Sequence, residues 1–382
     1  MKSMHLLAIA VAVGGLVSAH AQNCARTSVG FTPLVDLGTG TFGDSMGGLY
    51  PGGSNAIPAA HLAGGIAQRD LIQPLDANGN PSPTGRIVLI STGMSNWTAP
   101  FSTFIQRIGN NKNSRLTIVD LAQGGKVATN WITPGDSTWI VAMRRLANAG
   151  VTPAQVQAVI SKHEVPRATG GANARPWPDN PNDLRAWLGQ IARVCKDSFP
   201  NLRLSFWVSR IYAGYATIEL NPEPYAYRSG FGVKWAIRDQ INGAANLNYD
   251  PLRGAVEAPW MGWGPYLWAD GTTPRSDGLT WQCTDFVTDG THPSQAGRDK
   301  TAGILETFFR TNVLTASWFN ASGTGTTAPG IQQPARIHAP GRAELRIRAG
   351  VEQSPSADAV TDEARFSLRG QVLRSAPLIA GQ

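Results

Sequence analysis

The chain has 382 residues, of which 42% are hydrophobic and 15% are charged, and its formal net charge is +7. This is the composition of a globular protein with one large domain or two modest ones. The positive charge does not indicate a nucleic-acid partner, because the basic residues are scattered and no recognition motif is present. Attraction to anionic envelope or plant polysaccharides explains the charge equally well.

The first 21 residues have the pattern of a secretory signal peptide. Lys2 supplies a positive start, residues 5–17 are apolar, and Ala19-His20-Ala21 is a small-residue cleavage pattern. The apolar run is too short to span a bilayer of about 30 Å. We expect cleavage before Gln22 and a secreted or periplasmic protein. No later segment is long and apolar enough to span a membrane, so the mature chain should carry no membrane span.

Three cysteines are present, namely Cys24, Cys195 and Cys283. In an oxidising compartment they permit one disulfide and leave one thiol over. Their spacing fits no metal site, and the sequence does not say which two of them pair.

Composition and hydrophobic pattern divide the rest of the chain into three parts. Residues 22–85 are rich in Gly, Pro, Asn and Asp and are predicted to form loops and turns that pack on the core. From residue 86 to about residue 320, short apolar runs alternate with amphipathic stretches, which is typical of an α/β domain. Residues 321–382 begin as a linker and continue as a tail or small appendage.

The apolar runs predict strands over residues 86–92, 115–122, 155–161 and 202–211. The amphipathic stretches predict helices through residues 100–109 and over 137–150, 180–199, 229–243 and 292–312. Continuous apolar strands that alternate with helices are typical of parallel βαβ units buried on both faces. The prediction is therefore a three-layer α/β/α sandwich, in which ligands bind at the carboxyl ends of the strands.

Asp289 and His292 lie three residues apart in TDGTHPSQAG, just before the last predicted helix. A carboxylate and an imidazole at this spacing can face the same way, so that the carboxylate accepts from Nδ1–H and Nε2 is left as a general base. A surface turn and a pair of metal ligands are the alternatives. A catalytic dyad also needs a nucleophile, for which two serines are candidates.

Ser95 follows the first predicted strand and precedes a helical pattern. A serine at such a turn projects beyond the carboxyl edge of the sheet, and its amide lies near a helix N-terminus that favours an oxyanion. Ser45 lies in the triplet Gly43-Asp44-Ser45, which is the more familiar motif of serine esterases. The glycines around it make a poor central strand and a poor helix start, so the placement favours Ser95.

Two other predicted strand ends carry candidate groups. Gly124 and Gly125 follow the second strand, and they either bring a backbone amide close to a ligand or form a tight turn. Lys162, His163 and Glu164 follow the third strand. Polar residues at a strand end are often only solvated, but these lie at the same sheet edge as the other two loops.

A serine follows the first strand, glycines the second and polar residues the third, and Asp-x-x-His precedes the last helix. These four sequence blocks, in this order, resemble those of the SGNH (GDSL-like) hydrolases. The resemblance is closer to the carbohydrate-esterase branch, the sialate and xylan O-acetylesterase-like proteins. The matching residues, within roughly residues 86–312, are Gly93-Met94-Ser95-Asn96, then Ala122-Gln123-Gly124-Gly125 with Trp131, and finally Asp289, His292, Pro293 and Ser294. The resemblance implies a parallel sheet of five strands and hydrolysis of an ester, often an acetyl group on a sugar. No cofactor is expected.

By this resemblance Ser95 attacks the ester carbonyl, His292 takes and returns its proton, and Asp289 orients His292. The amides of Ser95 and Gly124, with Gly125 beside them, would hold the oxyanion.

The third block departs from the family, which has Asn, or Gln in a Gln-Gly-Glu run, where this chain has Lys162-His163-Glu164. Lys162 is the substitute oxyanion donor that the sequence offers. Next to the nucleophile, Asn96 is expected to contact substrate.

The segment 258–283 precedes the Asp289 block and carries Trp260, Trp263, Trp268 and Trp281. Aromatic faces stack on sugar rings, although most such residues pack beneath a long loop. We expect one or two of them, Trp263 and Trp268, to contact the substrate.

The sequence therefore predicts an exported serine esterase that acts on acylated, in particular acetylated, carbohydrate. A second hypothesis is a non-catalytic glycan- or envelope-binding protein on the same fold, to which the altered third block, the tryptophans and the basic charge point. A third makes Asp289, His292 and His163 the ligands of a metal-dependent hydrolase, although the carboxylate-rich clusters typical of such enzymes are missing.

Overall fold

The computed structural model describes residues 21–166 and 175–321, together with the short segments 365–366 and 372–373. The predicted signal peptide, apart from its last residue, and most of the predicted tail lie outside the described residues. Among the described residues, no helix has the length and apolar character needed to cross a membrane.

A five-stranded parallel sheet forms the centre of the molecule, as predicted. Its strands are β1 (Ile87–Gly93), β2 (Leu116–Asp120), β3 (Val156–Lys162), β4 (Leu204–Trp207) and β5 (Trp260–Trp263). They are hydrogen-bonded in the order β2-β1-β3-β4-β5. Every residue of β1, β3, β4 and β5 is buried, because helices cover both faces of the sheet.

In the described part of the chain, six longer helices flank the sheet, and they are α1 (Ala59–Arg69), α2 (Ser95–Ile108), α3 (Ser137–Asn148), α4 (Asp179–Ser198), α5 (Tyr225–Ile241) and α6 (Gln295–Thr311). Helix α2 packs against α6, and α4 packs against α5. The strand order reverses direction after β2, so right-handed crossovers place α2 on one face and α3, α4 and α5 on the other. The same reversal opens a crevice at the carboxyl ends of β1 and β3.

Shorter elements complete the described chain. The four-residue helices are Leu34–Leu37 and Ala316–Phe319, and the two-residue strands pair as Thr41–Phe42 with Ser45–Met46 and as Arg365–Phe366 with Val372–Leu373. The 3₁₀ turns are Pro51–Gly53, Ala128–Asn130, Pro153–Gln155, Ala245–Leu247, Pro251–Arg253 and Cys283–Asp285.

Helix α1 corrects the prediction that residues 22–85 form only loops and turns. Its sequence contains the pair Gly64-Gly65, which lowers the intrinsic helix propensity. The glycines serve packing, because a Cβ would lie 2.1 Å from the Tyr249 hydroxyl oxygen at Gly64 and 2.8 Å from the Trp260 ring at Gly65. This close approach lets α1 pack on β4 and β5.

Strand β5 lies in the tryptophan-rich segment that was interpreted as a long loop. Trp260 is fully buried, and its Nε1 donates to the His61 carbonyl oxygen at 2.9 Å. The strand has four residues, WMGW. A run this short shows no alternation by which a strand could be recognised.

The cysteine pairing that the sequence left open is Cys24 with Cys283, and Cys195 is a buried free cysteine in α4. The bond fastens the N-terminal segment to the chain just before the Asp289 block. A backbone hydrogen bond extends the attachment, because the Asn23 amide donates to the Tyr215 carbonyl oxygen at 2.9 Å.

Candidate active site

Ser95 is the first residue of α2 and lies just beyond the carboxyl end of β1. Met94, which precedes the helix, is extended (φ −112°, ψ −174°), so the chain turns sharply from strand to helix at the serine. Asp120, at the end of β2, supports this turn, because its carboxylate accepts hydrogen bonds from the hydroxyls of Ser91 and Thr98. The serine is thereby held at the edge of the sheet.

The side chains of Ser95, His292 and Asp289 form a continuous hydrogen-bonded chain. Ser95 Oγ lies 2.7 Å from His292 Nε2, and His292 Nδ1 lies 2.6 Å from Asp289 Oδ2. With Nδ1 protonated and donating to the carboxylate, Nε2 is left to accept the serine proton. The side chains of His292 and Asp289 are 28% and 26% exposed, so a ligand can reach them.

The second oxygen of Asp289 fixes the loop that carries His292. Asp289 Oδ1 accepts from the amides of Thr291 and His292 at 2.8 and 2.9 Å. Burial alone would raise the pKa of Asp289, but these two bonds and the one from the His292 ring outweigh it, and the pKa is lowered. Asp289 is therefore ionised at neutral pH and orients the imidazole.

Backbone contacts close the loop on itself. The Val287 amide donates to the His292 carbonyl oxygen at 2.9 Å. Gly290 turns the chain in the left-handed region (φ +65°), and a Cβ there would lie 2.2 Å from the Tyr215 carbonyl oxygen. The loop is thus fixed from within by Asp289 and from outside by the neighbouring chain.

Gly124 and Gly125 follow β2 and lie beside Ser95. A Cβ built at Gly124 would lie 3.9 Å from the Ser95 Cβ, and Gly125 lines the same cleft as Ser95. Among the described residues, no backbone carbonyl accepts a hydrogen bond from the amides of Ser95, Gly124 or Gly125. These amides are therefore available to a carbonyl oxygen that becomes negative on attack.

The structure corrects the prediction that Lys162 donates to the oxyanion. Lys162 is completely buried, and its Nζ donates to Asn96 Oδ1 at 2.6 Å and to the Asn96 carbonyl oxygen at 3.4 Å. Desolvation, together with repulsion from Arg210, lowers the pKa of Lys162 well below its ordinary value. The amine lies beneath Asn96 and not at the surface of the cleft.

Asn96 reaches the cleft, but both ends of its side-chain amide have protein partners. Oδ1 accepts from Lys162, and Nδ2 donates to the Thr291 carbonyl oxygen at 2.6 Å. The residue is only 1% exposed. The Asn96 amide therefore joins the start of α2 to the loop of His292, and contact of Asn96 with a substrate stays a prediction.

The structure corrects the expectation that Trp263 and Trp268 contact the substrate. Trp263 Nε1 donates to the Leu49 carbonyl oxygen at 2.8 Å, and Trp268 Nε1 donates to Glu223 Oε1 at 2.7 Å. Both residues are buried in the core, and neither lines the cleft. The burial of a large aromatic surface with its N–H satisfied accounts for their positions.

The cleft at Ser95 has a volume of about 960 Å³, and the lining residues that sequence reasoning missed include Trp187 and Arg210. Trp187 lies on α4 and is partly exposed, and a single aromatic residue in an amphipathic helix gives no sequence signal. Arg210 follows the end of β4, so the rule that selected the other strand ends could have found it.

Arg210 is 2% exposed at the cleft, and Glu164, Glu223 and Asp289 lie close enough for their charges to act on its pKa. Burial lowers the pKa of Arg210, and the charges of Glu164, Glu223 and Asp289 oppose that shift. Burial raises the pKa of Glu164 and of Glu223 to about 7, and the charge of Arg210 opposes this in turn. Arg210 and the acidic groups of Glu164, Glu223 and Asp289 thus interact through their charges at the candidate site.

His163 does not join Asp289 and His292 in a metal site. Its Nε2 lies 3.0 Å from Thr92 Oγ1, and burial lowers the pKa of His163 to about 3. His292 already contacts Ser95 and Asp289 through its two ring nitrogens. In the described part of the chain, no group of three His, Cys, Asp or Glu side chains could hold a metal ion.

Ser45 lies in a separate hairpin, where it pairs with Phe42 across the turn Gly43-Asp44. Lys234 of α5 holds this hairpin, because its Nζ donates to the Met46 carbonyl oxygen at 2.7 Å. Ser45 does not line the cleft. The structure therefore separates the more familiar serine motif from the Asp–His pair.

Comparisons with known proteins give a distant likeness only. No protein-family model matches the chain, and a search of curated proteins found no match. A structure from Slackia heliotrinireducens, provisionally described as an SGNH hydrolase, is 14% identical, covers 59% of this chain and 99% of its own, and has a TM-score of 0.30. The lipase/acylhydrolase from Enterococcus faecalis is 12% identical, with coverage of 59% and 96% and a TM-score of 0.32.

A third similar structure is the periplasmic domain of the lipopolysaccharide acetyltransferase of Salmonella ser. Paratyphi A. It is 13% identical, covers 65% of this chain and 94% of its own, and has a TM-score of 0.30. Identities and TM-scores this low transfer neither a substrate nor a mechanism, so the chemistry of this chain has to be inferred from its own side chains.

Proposed function

We propose that the protein is a serine ester hydrolase of the SGNH type. The observation that carries the proposal is the unbroken chain from Ser95 Oγ through the His292 ring to Asp289 Oδ2, with distances of 2.7 and 2.6 Å, at the carboxyl edge of a parallel sheet. Such an arrangement activates a serine hydroxyl for attack on an acyl group. The amides of Ser95 and Gly124 would stabilise the charge that develops on the carbonyl oxygen.

In the proposed reaction, Ser95 Oγ bonds to the ester carbonyl carbon while its proton passes to His292 Nε2. His292 then gives this proton to the leaving alcohol oxygen, the C–O bond of the ester breaks, and the acyl group stays on Ser95. A water molecule next attacks the acyl carbon and gives its proton to Nε2. The carboxylic acid leaves as Ser95 recovers its proton, with Asp289 ionised throughout.

We propose further that the substrate is a carbohydrate ester and that its acyl group is acetyl. The motif blocks around Ser95, Gly124 and His292 support this, because they resemble those of carbohydrate esterases. Trp187, the partly exposed tryptophan at the cleft, offers a face for a sugar ring in place of the buried tryptophans first expected to do so.

We also propose that the protein works outside the cytoplasm, on acylated polysaccharide there. The signal-like start of the chain and the Cys24–Cys283 disulfide support export to an oxidising compartment.

Hydrolysis of p-nitrophenyl acetate and of acetylated xylan by wild type, Ser95→Ala and Ser45→Ala tests the proposal. We expect Ser95→Ala to lose roughly 10³-fold or more in kcat and Ser45→Ala to keep wild-type activity. A fluorophosphonate should label Ser95 and leave Ser45 unmodified. Undiminished hydrolysis by Ser95→Ala would overturn the assignment, and saturable polysaccharide binding without hydrolysis or labelling would favour the non-catalytic glycan-binding protein.

A further inference from the structure

Lys162 is a fully buried amine at the catalytic edge of the sheet that the proposed reaction does not use. It is the last residue of β3, and its Nζ lies 2.6 Å from Asn96 Oδ1 and 3.4 Å from the Asn96 carbonyl oxygen. Burying such a group is unfavourable unless its hydrogen-bonding capacity is used. The two contacts with Asn96 therefore define what this side chain does.

Pro100 explains why the Asn96 carbonyl needs a donor from outside its helix. In an α-helix the carbonyl of residue i accepts from the amide of residue i+4, so the Asn96 carbonyl would accept from residue 100. Residue 100 of α2 is proline, which has no N–H. Lys162 Nζ lies at this carbonyl and supplies the missing donor.

The lysine also acts on the other half of the site, through the Asn96 side chain. Because Lys162 donates to Oδ1, the NH₂ end of the amide faces the Thr291 carbonyl oxygen, to which it donates at 2.6 Å. Asn96 directly follows Ser95 in the chain, and Thr291 directly precedes His292. Lys162, Asn96 and Thr291 thus bridge the two segments that present Ser95 and His292.

We propose that Lys162 is a positioning residue, which orients Asn96 so that Ser95 and His292 stay within hydrogen-bond distance. The inference rests on the proposed esterase activity. Since Lys162 acts on the placement of the reacting groups and does not touch the cleft surface, its removal should lower kcat and leave KM unchanged.

Lys162→Met keeps the length of the side chain and removes the donor. We expect kcat for p-nitrophenyl acetate to fall roughly 10- to 100-fold, with KM as in the wild type. Labelling of Ser95 by a fluorophosphonate should slow by the same factor and still reach one label per chain.

Lys234→Met is the matched control. Lys234 is also buried and also donates to backbone carbonyl oxygens, those of Met46 and Gly47, but it lies beneath the hairpin of Ser45 and does not line the cleft. This variant should lose thermal stability and keep the wild-type kcat.

Pro100→Ala provides a rescue that a merely structural role of Lys162 would not show. Alanine at residue 100 restores an amide that can donate to the Asn96 carbonyl, so the double variant Lys162→Met/Pro100→Ala should recover part of the lost kcat. Asn96→Asp is the second test if Lys162→Met does not fold. Its carboxylate still accepts from Lys162 but cannot donate to the Thr291 carbonyl oxygen, so kcat should again fall.

A wild-type kcat in folded Lys162→Met, or an equal loss of kcat in Lys234→Met, would overturn the positioning role and leave the esterase proposal intact. If Lys162→Met does not fold, a wild-type kcat in Asn96→Asp would overturn it instead. Absence of hydrolysis and labelling in the wild type would overturn the esterase proposal itself.

Discussion

Two serines of this chain follow glycine-containing motifs, and the regions around them are built differently. Ser95 begins a helix of 14 residues just beyond a buried strand, whereas Ser45 lies in a hairpin of two-residue strands. The first region brings a helix N-terminus and two neighbouring loops to one point. In the second region, backbone groups form hydrogen bonds within the hairpin and with Lys234. The backbone that presents a serine therefore decides which groups surround it, whatever the local sequence motif.

The hairpin of Ser45 has a packing role in the structure. The Phe42 ring lies edge-on to the rings of Trp177 and Tyr227, with centroids 4.9 and 5.0 Å away. Gly43 adopts φ +54°, and a Cβ there would lie 2.4 Å from Trp177 Nε1. The glycine of the triplet is therefore required for a tight turn against a tryptophan.

The largest expected contrast between the two regions is in their aspartates. Asp289→Asn removes the carboxylate that orients His292, so kcat for p-nitrophenyl acetate should fall roughly 10²- to 10⁴-fold. Asp44→Asn changes an exposed residue of the hairpin turn and should leave kcat unchanged. Equal rates for both variants would contradict the difference drawn between the two regions.

A smaller effect is expected for Glu164, a buried residue beneath the cleft. Burial raises the pKa of Glu164 from 4.5 to about 7, so between these pH values the unfolded chain is ionised at Glu164 while the folded chain keeps the proton. The free energy of unfolding then falls as the pH rises through this window. In the wild type the free energy of unfolding should decrease by up to about 3 kcal/mol over this window, and in Glu164→Gln this decrease should be absent. Urea unfolding from pH 4.5 to 7 measures it, and parallel curves for wild type and variant would refute the effect.

The smallest expected effect distinguishes Gly124, beside Ser95, from Gly43, in the hairpin of Ser45. Gly124→Ala meets no clash, since its Cβ would lie 3.9 Å from the Ser95 Cβ, but it crowds the place of the acyl oxygen and should lower kcat/KM roughly 10-fold. Gly43→Ala should destabilise the fold by about 1–3 kcal/mol and keep the wild-type kcat/KM. Thermal unfolding and initial rates on both variants separate the two effects, and a stability loss confined to Gly124→Ala would reverse the assignment.

The sequence predicts well which groups meet at the carboxyl edge of the sheet, because strand ends are local features. The apolar run before Ser95 locates the end of β1, and the run before Gly124 locates the end of β2. Parallel strands bring their carboxyl ends to one edge, so groups that follow them meet without any long-range information. His292 is found for a related reason, because its partner Asp289 lies within the same turn.

The parts that the sequence did not predict depend on contacts between distant residues. Lys162 and Asn96 are 66 positions apart. The sequence around Lys162 does not indicate that its amine donates to an asparagine and not to an oxyanion. Trp263 and Trp268 carry the same side chain as Trp187, and only the packing decides which of the three is exposed at the cleft. The glycines of α1 lower its helix propensity, and only their contacts with Tyr249 and Trp260 explain them.

The disulfide between Cys24 and Cys283 closes a covalent ring, since the two residues are 259 positions apart. The ring contains all five strands of the sheet, and in the chain-entropy treatment a loop of this size stabilises the fold by about 5 kcal/mol. A single proteolytic cut anywhere within the ring opens it without dividing the molecule. Ser95, inside the ring, and His292, just outside it, would therefore remain on one covalent molecule after such a cut, for as long as the disulfide is oxidised.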